Sequence, residues 1–212
     1  VPDTYAGPVP AGLTTAEFVL RPITADDAAN DHAAVMDTRD DLRLWEQASW
    51  PEDDFTVEAN REDLRSLEER HAAGRAFTYT VLAPATGECW GCVYLFPTTA
   101  TFLTKATVTP VGDAVWADVD LVVYFWTRRA KTPEGMDARL LAALRSWLAD
   151  EWRVAHPVFV TSERFTHQAE LLRTGDLRLR FELVEPGKPG TYLGFGWPGL
   201  PALSGLASRH AS

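Results

Sequence analysis

Apolar residues recur along this chain in two rhythms, an alternation of period two and a spacing of three to four, and the switches between them divide it into elements. EFVLRPI (17–23) reads as a strand ending at Pro22, and Thr24-Ala-Asp-Asp27 as a helix cap leading into DHAAVMDTRDDLRLW. A second helix is expected over about 59–73, where Leu64, Leu67 and His71 share a face and Gly74 is placed to end it. AFTYTVLAP and CWGCVYLFP, joined by the turn ATGE, predict an antiparallel hairpin. An irregular Thr-rich segment at 98–114 precedes AVWADVDLVVYFW, read as one long β run. The clearest amphipathic helix follows at 137–152, with Leu140, Leu144, Trp147 and Leu148 on one face. PVFVTS (157–162) reads as a short buried strand, ERFTHQAELLRTG as a helix stopped by Gly175, and LRLRFELVE and GTYLGFGW as a closing β pair. No internal repeat is present.

The resulting order, β-α-α-β-β-β-α-β-α-β-β, is that of an α+β (mixed α/β) chain rather than a regular doubly wound one. Residues 1–15, rich in Pro, Gly and Thr, are expected to form an arm, 16–197 the domain, and 198–212 a flexible tail.

Composition narrows the function classes. At 212 residues the chain suits one domain, and 46% hydrophobic content with eight Trp, ten Phe and five Tyr supplies a core. Thirty acidic against twenty basic residues give a formal charge of -10, which disfavours nonspecific attraction to nucleic acid and suits amine-bearing ligands. No apolar run is long enough to span a membrane, and VPDTYAGPVPAGL lacks the regions of a signal peptide, so a cytoplasmic protein is expected. Cys89 and Cys92 form CWGC, the spacing of redox sites and half zinc sites. Placed in a strand, residues three apart point to opposite faces, so the sulfurs are expected to diverge and no metal is expected. A redox role is an outlying alternative, tested by whether mild oxidation bridges the thiols.

The opening FVLRPITADDAAND, the hairpin TYTVLAPATGECWGCVYLFP, and DLVVYFWTRR followed by the 137–152 helix resemble successive elements of the GNAT superfamily of acyl-CoA-dependent N-acyltransferases, over roughly residues 16–196. The resemblance implies a GNAT-like, mostly antiparallel twisted sheet of about seven strands flanked by about four helices. It further implies acetyl-CoA or another acyl-CoA as cofactor, held where the strand ends at Phe125, Trp126 and Thr127 and a neighbouring strand splays away. The pyrophosphate then lies on the next helix N-terminus. The family's Q/R-x-x-G-x-G/A turn is replaced here by Arg128-Arg129-Ala130-Lys131-Thr132-Pro133-Glu134-Gly135-Met136-Asp137. One glycine, Gly135, survives near the helix start, and Arg128, Arg129 and Lys131 are candidate charge partners for phosphate. Ser162 stands where the family often places an Asn at the cofactor, and Arg164 can reach a phosphate nearby.

An amine attacks only when neutral, so a carboxylate base, acting directly or through water, is usual in this reaction class. Asp120 and Asp118, two apart on the expected fourth strand of the family, are the candidates, with Glu88 at the hairpin a weaker one. The backbone N–H near Val123 or Tyr124 is the expected holder of the thioester oxygen. The last helix lacks the Tyr that many members use to protonate the leaving thiolate, and His167 is a substitute candidate. Trp45, Trp50 and Phe55 fall where the family folds helices over the acceptor, and with Trp90 they are candidate substrate contacts. Trp147 and Trp152 read as core. A small-molecule amine acceptor is implied, with no nucleic acid or membrane partner, and the exposed strand ends suit a homodimer of the kind the family often forms. Two alternatives stay open: a GNAT-like ligand-binding or regulatory domain that has lost transfer, and the same scaffold used for another reaction.

Overall fold

In the computed structural model, which describes residues 5–197, a nine-stranded sheet separates two helical layers. In chain order the elements are β1 (Leu13–Thr14), β2 (Val19–Pro22), α1 (Ala28–Glu46), α2 (Val57–Ala72), β3 (Phe77–Leu82), β4 (Cys89–Phe96), α3 (Thr101–Lys105), β5 (Thr107–Pro110), β6 (Leu121–Thr127), α4 (Met136–Asp150), β7 (Pro157–Ser162), α5 (Thr166–Thr174), β8 (Arg178–Val184) and β9 (Tyr192–Gly196). The sheet runs β1-β2-β3-β4-β6-β7-β9-β8-β5, and every neighbouring pair is antiparallel except β6 and β7. The architecture is the expected mixed one, with two more strands than the pattern predicts. β1 and β5 are short edge strands whose two and four residues carry little alternation. The expected tail at 198–212 lies outside the described residues.

Alternation along the central strands builds two cores. Leu121, Val123 and Phe125 of β6 face α4 and α5, where Leu140, Leu144, Trp147, Leu148 and Leu172 close one core. Val122, Tyr124 and Trp126 face α1 and α2, where Val35, Leu42, Trp45 and Leu64 close the other. Trp147 and Trp152 are core residues, packed edge-on at 5.6 Å and meeting Tyr79 at 5.0 and 6.2 Å. Residues ahead of β1 lie against this core: Tyr5 packs on Phe77 and Trp152, and the Tyr79 hydroxyl donates to the Pro10 carbonyl. Among the described residues, no helix is long and apolar enough to cross a membrane.

Two expectations are overturned here. The first concerns CWGC. The β3–β4 register shifts between Val81, opposite Gly91, and Leu82, opposite Cys89, leaving Trp90 as an extra residue. Gly91 takes φ +152°, and a side chain there would collide with the Trp126 carbonyl oxygen, so the bulge requires glycine. The extra residue turns Cys89 and Cys92 to the same face, where their sulfurs and a buried Asp31 oxygen lie within 4.8 Å of one another. The cluster is hydrogen-bonded internally: Cys92 donates to Asp31 Oδ1 at 3.3 Å and Asn60 Nδ2 to Asp31 Oδ2 at 2.9 Å. Burial pushes the Cys92 thiol up, opposite to the activation a redox pair needs.

The second concerns AVWADVDLVVYFW, which is not one strand. Trp116–Asp118 form a 3-10 turn and β6 begins only at Leu121. Asp118 is exposed on that turn. The Asp120 carboxylate accepts the N–H groups of Ala155 (3.0 Å) and His156 (2.8 Å), fastening the connection between α4 and β7. Both aspartates sit at the end of β6 opposite to Phe125, Trp126 and Thr127.

Candidate active site

β6 and β7 pair only from Leu121 to Val123 and from Pro157 to Phe159. Beyond that, β6 stays bonded to β4 and β7 to β9, so the two strands part. Gln168, buried on α5, reaches into the gap and donates Nε2 to the Phe125 carbonyl at 2.8 Å. Its Oε1 and the Thr161 hydroxyl on β7 are buried with no hydrogen-bond partner among the described residues. Such orphans cost about 1–3 kcal/mol each, so they suit a polar ligand threaded between the strands.

Above the gap lies a crevice of about 10 Å³, room for one water, lined by Thr38, Trp45, Trp126, Thr127, Asp137 and His167 among others. The loop that should cradle phosphate closes one side. Residues 129–134 form a 3-10 turn that Gly135, at φ 72°, ends as α4 begins. Its cations are already engaged. Arg128 donates Nε to Asp37 at 2.9 Å and Nη1 to Glu88 at 2.7 Å. Arg129 pairs with Asp40 at 3.1 Å, while its N–H is taken by the Thr38 hydroxyl at 3.0 Å. Lys131 meets Glu134 at 3.3 Å and lies 4.9 Å above the Trp90 ring. At the first turn of α4 the buried Asp137 accepts the Ala138 N–H at 2.9 Å and meets His167 Nε2 at 2.6 Å. A carboxylate of the chain itself therefore holds the position where the helix favours an anion.

On the other side of Trp45 opens a chamber of about 630 Å³. Trp45, Trp50, Tyr94, Phe96, Phe102, Tyr124 and Tyr192 wall it, and Glu46, Glu185, Asp63, Lys188 and Arg70 bring charge. The C-terminal end of α1 fixes the wall, since the Glu46 carbonyl accepts from Tyr192 Oη (2.8 Å) and Lys188 Nζ (2.6 Å). Trp45 stands edge-on to Tyr124 at 5.9 Å. The Tyr124 hydroxyl lies 3.4 Å from Glu185 Oε1. Burial, and then the Glu46 charge, raise the Glu185 carboxyl above its ordinary range against the pull of Lys188.

Of the sequence candidates, Trp45 and Trp50 line the chamber, and Trp126, Thr127 and Asp137 line the crevice. Phe125 lends its carbonyl to the gap. Phe55 stands one layer back, edge-on to Trp50 at 5.8 Å. Trp90 lies elsewhere, under Lys131 and bonded to Glu88. Glu88 is an ion-pair partner of Arg128. The Met136 side chain is core, and the Ser162 hydroxyl accepts the Arg164 N–H at 3.1 Å. Neither Asp118 nor Asp120 lines the chamber. The pattern of the sequence does not mark Glu185, Gln168 or the side chains of Tyr124, Tyr94 and Tyr192. Glu185 precedes Pro186-Gly187 and looks like a solvated turn acid, and the tyrosines look like core.

No family model matches the chain, and no curated protein matches it. Solved structures do. The chain is similar to the ribosomal-protein-S5-alanine acetyltransferase of Vibrio fischeri, with 16% identity over 88% of this chain and 96% of that one and a TM-score of 0.62. RimL, a ribosomal L7/L12 α-N-protein acetyltransferase solved with coenzyme A, shares 14% identity over 89% and 96% of the two chains, TM-score 0.62. Mycobacterium smegmatis RimJ, solved with CoA-disulfide, shares 17% over 90% and 84%, TM-score 0.63. At such identities the likeness is one of fold.

Proposed function

The chain has the fold of the GNAT acetyltransferases, and on that scaffold we propose that it is an acyl-CoA-dependent N-acyltransferase, most simply of acetyl, whose acceptor amine enters the aromatic chamber. The observation that carries this reading is that Trp45 lines both the crevice above the parted strands and the chamber, so two compartments meet at one side chain. Acyl-CoA, when bound, supplies a thioester carbonyl open to attack by an amine. Gln168 Oε1, Thr161 Oγ1 and the open edge of β6 over Tyr124–Thr127 suit its amide groups, and Arg129, the most exposed loop cation at 54%, suits its phosphates. The fit is good along the strands and poor at the loop, where Asp137 fills the first turn of α4 and Arg128 is committed to Asp37 and Glu88.

The chamber's own residues set the acceptor chemistry. An amine arrives as ammonium, which aromatic faces and carboxylates attract. Glu185 is the base that takes its proton: a carboxylate whose pKa is raised holds a proton better than an ordinary one. Tyr124 orients that carboxylate from below.

A second reading, a ligand-binding domain that keeps the chamber without acyl transfer, is favoured by the Asp137 carboxylate in the phosphate position. Titration of acetyl-CoA calorimetrically, followed by a screen of amines for thiol release, separates the two. Micromolar binding with amine-dependent release supports the transferase, and no binding at millimolar cofactor leaves the second reading.

A further inference from the structure

The chamber does not end at Phe96 and Phe102. These residues, with Arg70, Glu185 and Pro186, also line a second groove of about 610 Å³ between α2, α3 and the turn after β8, so the two spaces adjoin across shared side chains. Their charges are opposite in balance. The chamber carries Glu46, Asp63 and Glu185 against Arg70 and Lys188, and Lys188 is neutralised by Glu46 at 2.5 Å. The groove carries Arg70, Arg75 and Lys105 against Glu185 alone.

The three groove cations differ from most others in this acidic chain. Arg128, Arg129, Lys131, Arg43 and Arg61 each hold a carboxylate, whereas none of Arg70, Arg75 and Lys105 forms an ion pair among the described residues. Among the described residues the Arg70 guanidinium donates only to the Ser66 hydroxyl, at 2.8 Å. Three unpaired cations on one groove, in a chain of net charge -10, form a local positive field beside a negative chamber.

We infer that the acceptor carries an anionic group, a carboxylate or phosphate, on the same molecule as its amine. The amine lies in the chamber near Glu185, and the anion lies in the groove on Arg70, Arg75 and Lys105. Guanidinium forks match carboxylate and phosphate oxygens, and a mobile Lys adds a third contact. An amine of equal length without the anionic group meets the same chamber and leaves those cations in water. This specificity rests on the proposed acceptor role of the chamber.

The test compares matched probes, hexylamine against 6-aminohexanoate and 6-aminohexyl phosphate, by calorimetric titration and by thiol release with acetyl-CoA. A tripeptide carrying Glu at its second position, against its Gln counterpart, distinguishes a polypeptide source of the anion from a free metabolite. The anionic member of a pair is expected to bind about tenfold or more tightly. That ratio is expected to fall to about one in the Arg70→Ala/Arg75→Ala double variant, and to narrow as salt rises. The effect is expected in KM rather than kcat. Equal affinities within every pair, or a ratio untouched by the double variant, overturn the inference. Absence of thiol release with an intact binding ratio removes the acyltransferase reading and leaves the charge specificity standing.

Discussion

The Tyr124 hydroxyl, on the strand at the middle of the sheet, lies 3.4 Å from Oε1 of Glu185, just past the end of β8. The contact puts a carboxyl of raised pKa against the aromatic floor of the chamber. Replacement Glu185→Gln keeps the shape and removes the proposed base, so kcat is expected to fall about 100-fold or more. A base works deprotonated, so the wild-type kcat/KM should climb with pH along a limb lying above the ordinary carboxylate range, and that limb should vanish in the variant. Thermal stability should hold or rise, because a half-buried charge beside Glu46 is removed. An unchanged pH profile would assign the base to another group.

Arg128 and Arg129 are adjacent, yet the structure gives them different work. Arg128 is 20% exposed and joins Asp37 of α1 to Glu88 of the hairpin. Its truncation removes the cation that Asp37 and Glu88 share, leaving Glu88 only the Trp90 indole N–H, and Arg128→Ala is expected to cost about 1–3 kcal/mol. Arg129→Ala removes a surface pair and is expected to stay within about 0.5 kcal/mol. Urea denaturation of both variants measures this, and acetyl-CoA titration completes it: affinity lost in Arg129→Ala without loss of stability marks a phosphate contact.

The bulge at Trp90 rests on Gly91. At φ +152° an alanine strains the backbone, and its methyl group would collide with the Trp126 carbonyl oxygen, part of a neighbouring strand that cannot yield cheaply. Gly91→Ala is expected to lose about 3 kcal/mol or more, read as a drop in denaturation midpoint. Because β6 carries the open edge of the site, any fraction that folds should also bind acetyl-CoA more weakly.

Element types are legible in the sequence because they follow local rules. The 3.6 period of 137–152, the Thr24 cap and the ATGE turn each specify their own backbone, and α4, α1 and the β3–β4 hairpin lie close to where those signals put them. The bulge is not legible, since it arises from the close approach of Trp126 on another strand. The site is harder to read than the fold for the same reason. Asp120 and Glu185 are both acids at strand ends, and only tertiary packing makes one a fastener of Ala155 and His156 and the other a chamber carboxyl. The basic loop advertises phosphate binding, but the acids that engage it, Asp37 and Asp40, stand on α1, about ninety positions earlier in the chain.

Asp31 supplies a test by titration. It is buried, with Asn60 Nδ2 donating to Oδ2 and the Cys92 thiol to Oδ1. Burial raises its pKa, the bonds from Asn60 and Cys92 pull back less, and the charge of Asp27 adds to the rise. The folded protein therefore holds this proton to higher pH than the unfolded chain, in which an aspartate titrates near about 3.9. Between the two pKa values the folded state binds more protons, so stability falls as pH rises. The contribution of the proton is fully present below the unfolded value and is lost as pH climbs through the folded one. Asparagine keeps the acceptor for Asn60 and does not titrate. Asp31→Asn should therefore gain stability relative to wild type as pH rises from about 4, levelling off once Asp31 has ionised in the fold. Urea denaturation of both proteins across that range gives diverging curves if the buried carboxyl retains its proton, and parallel curves if it does not.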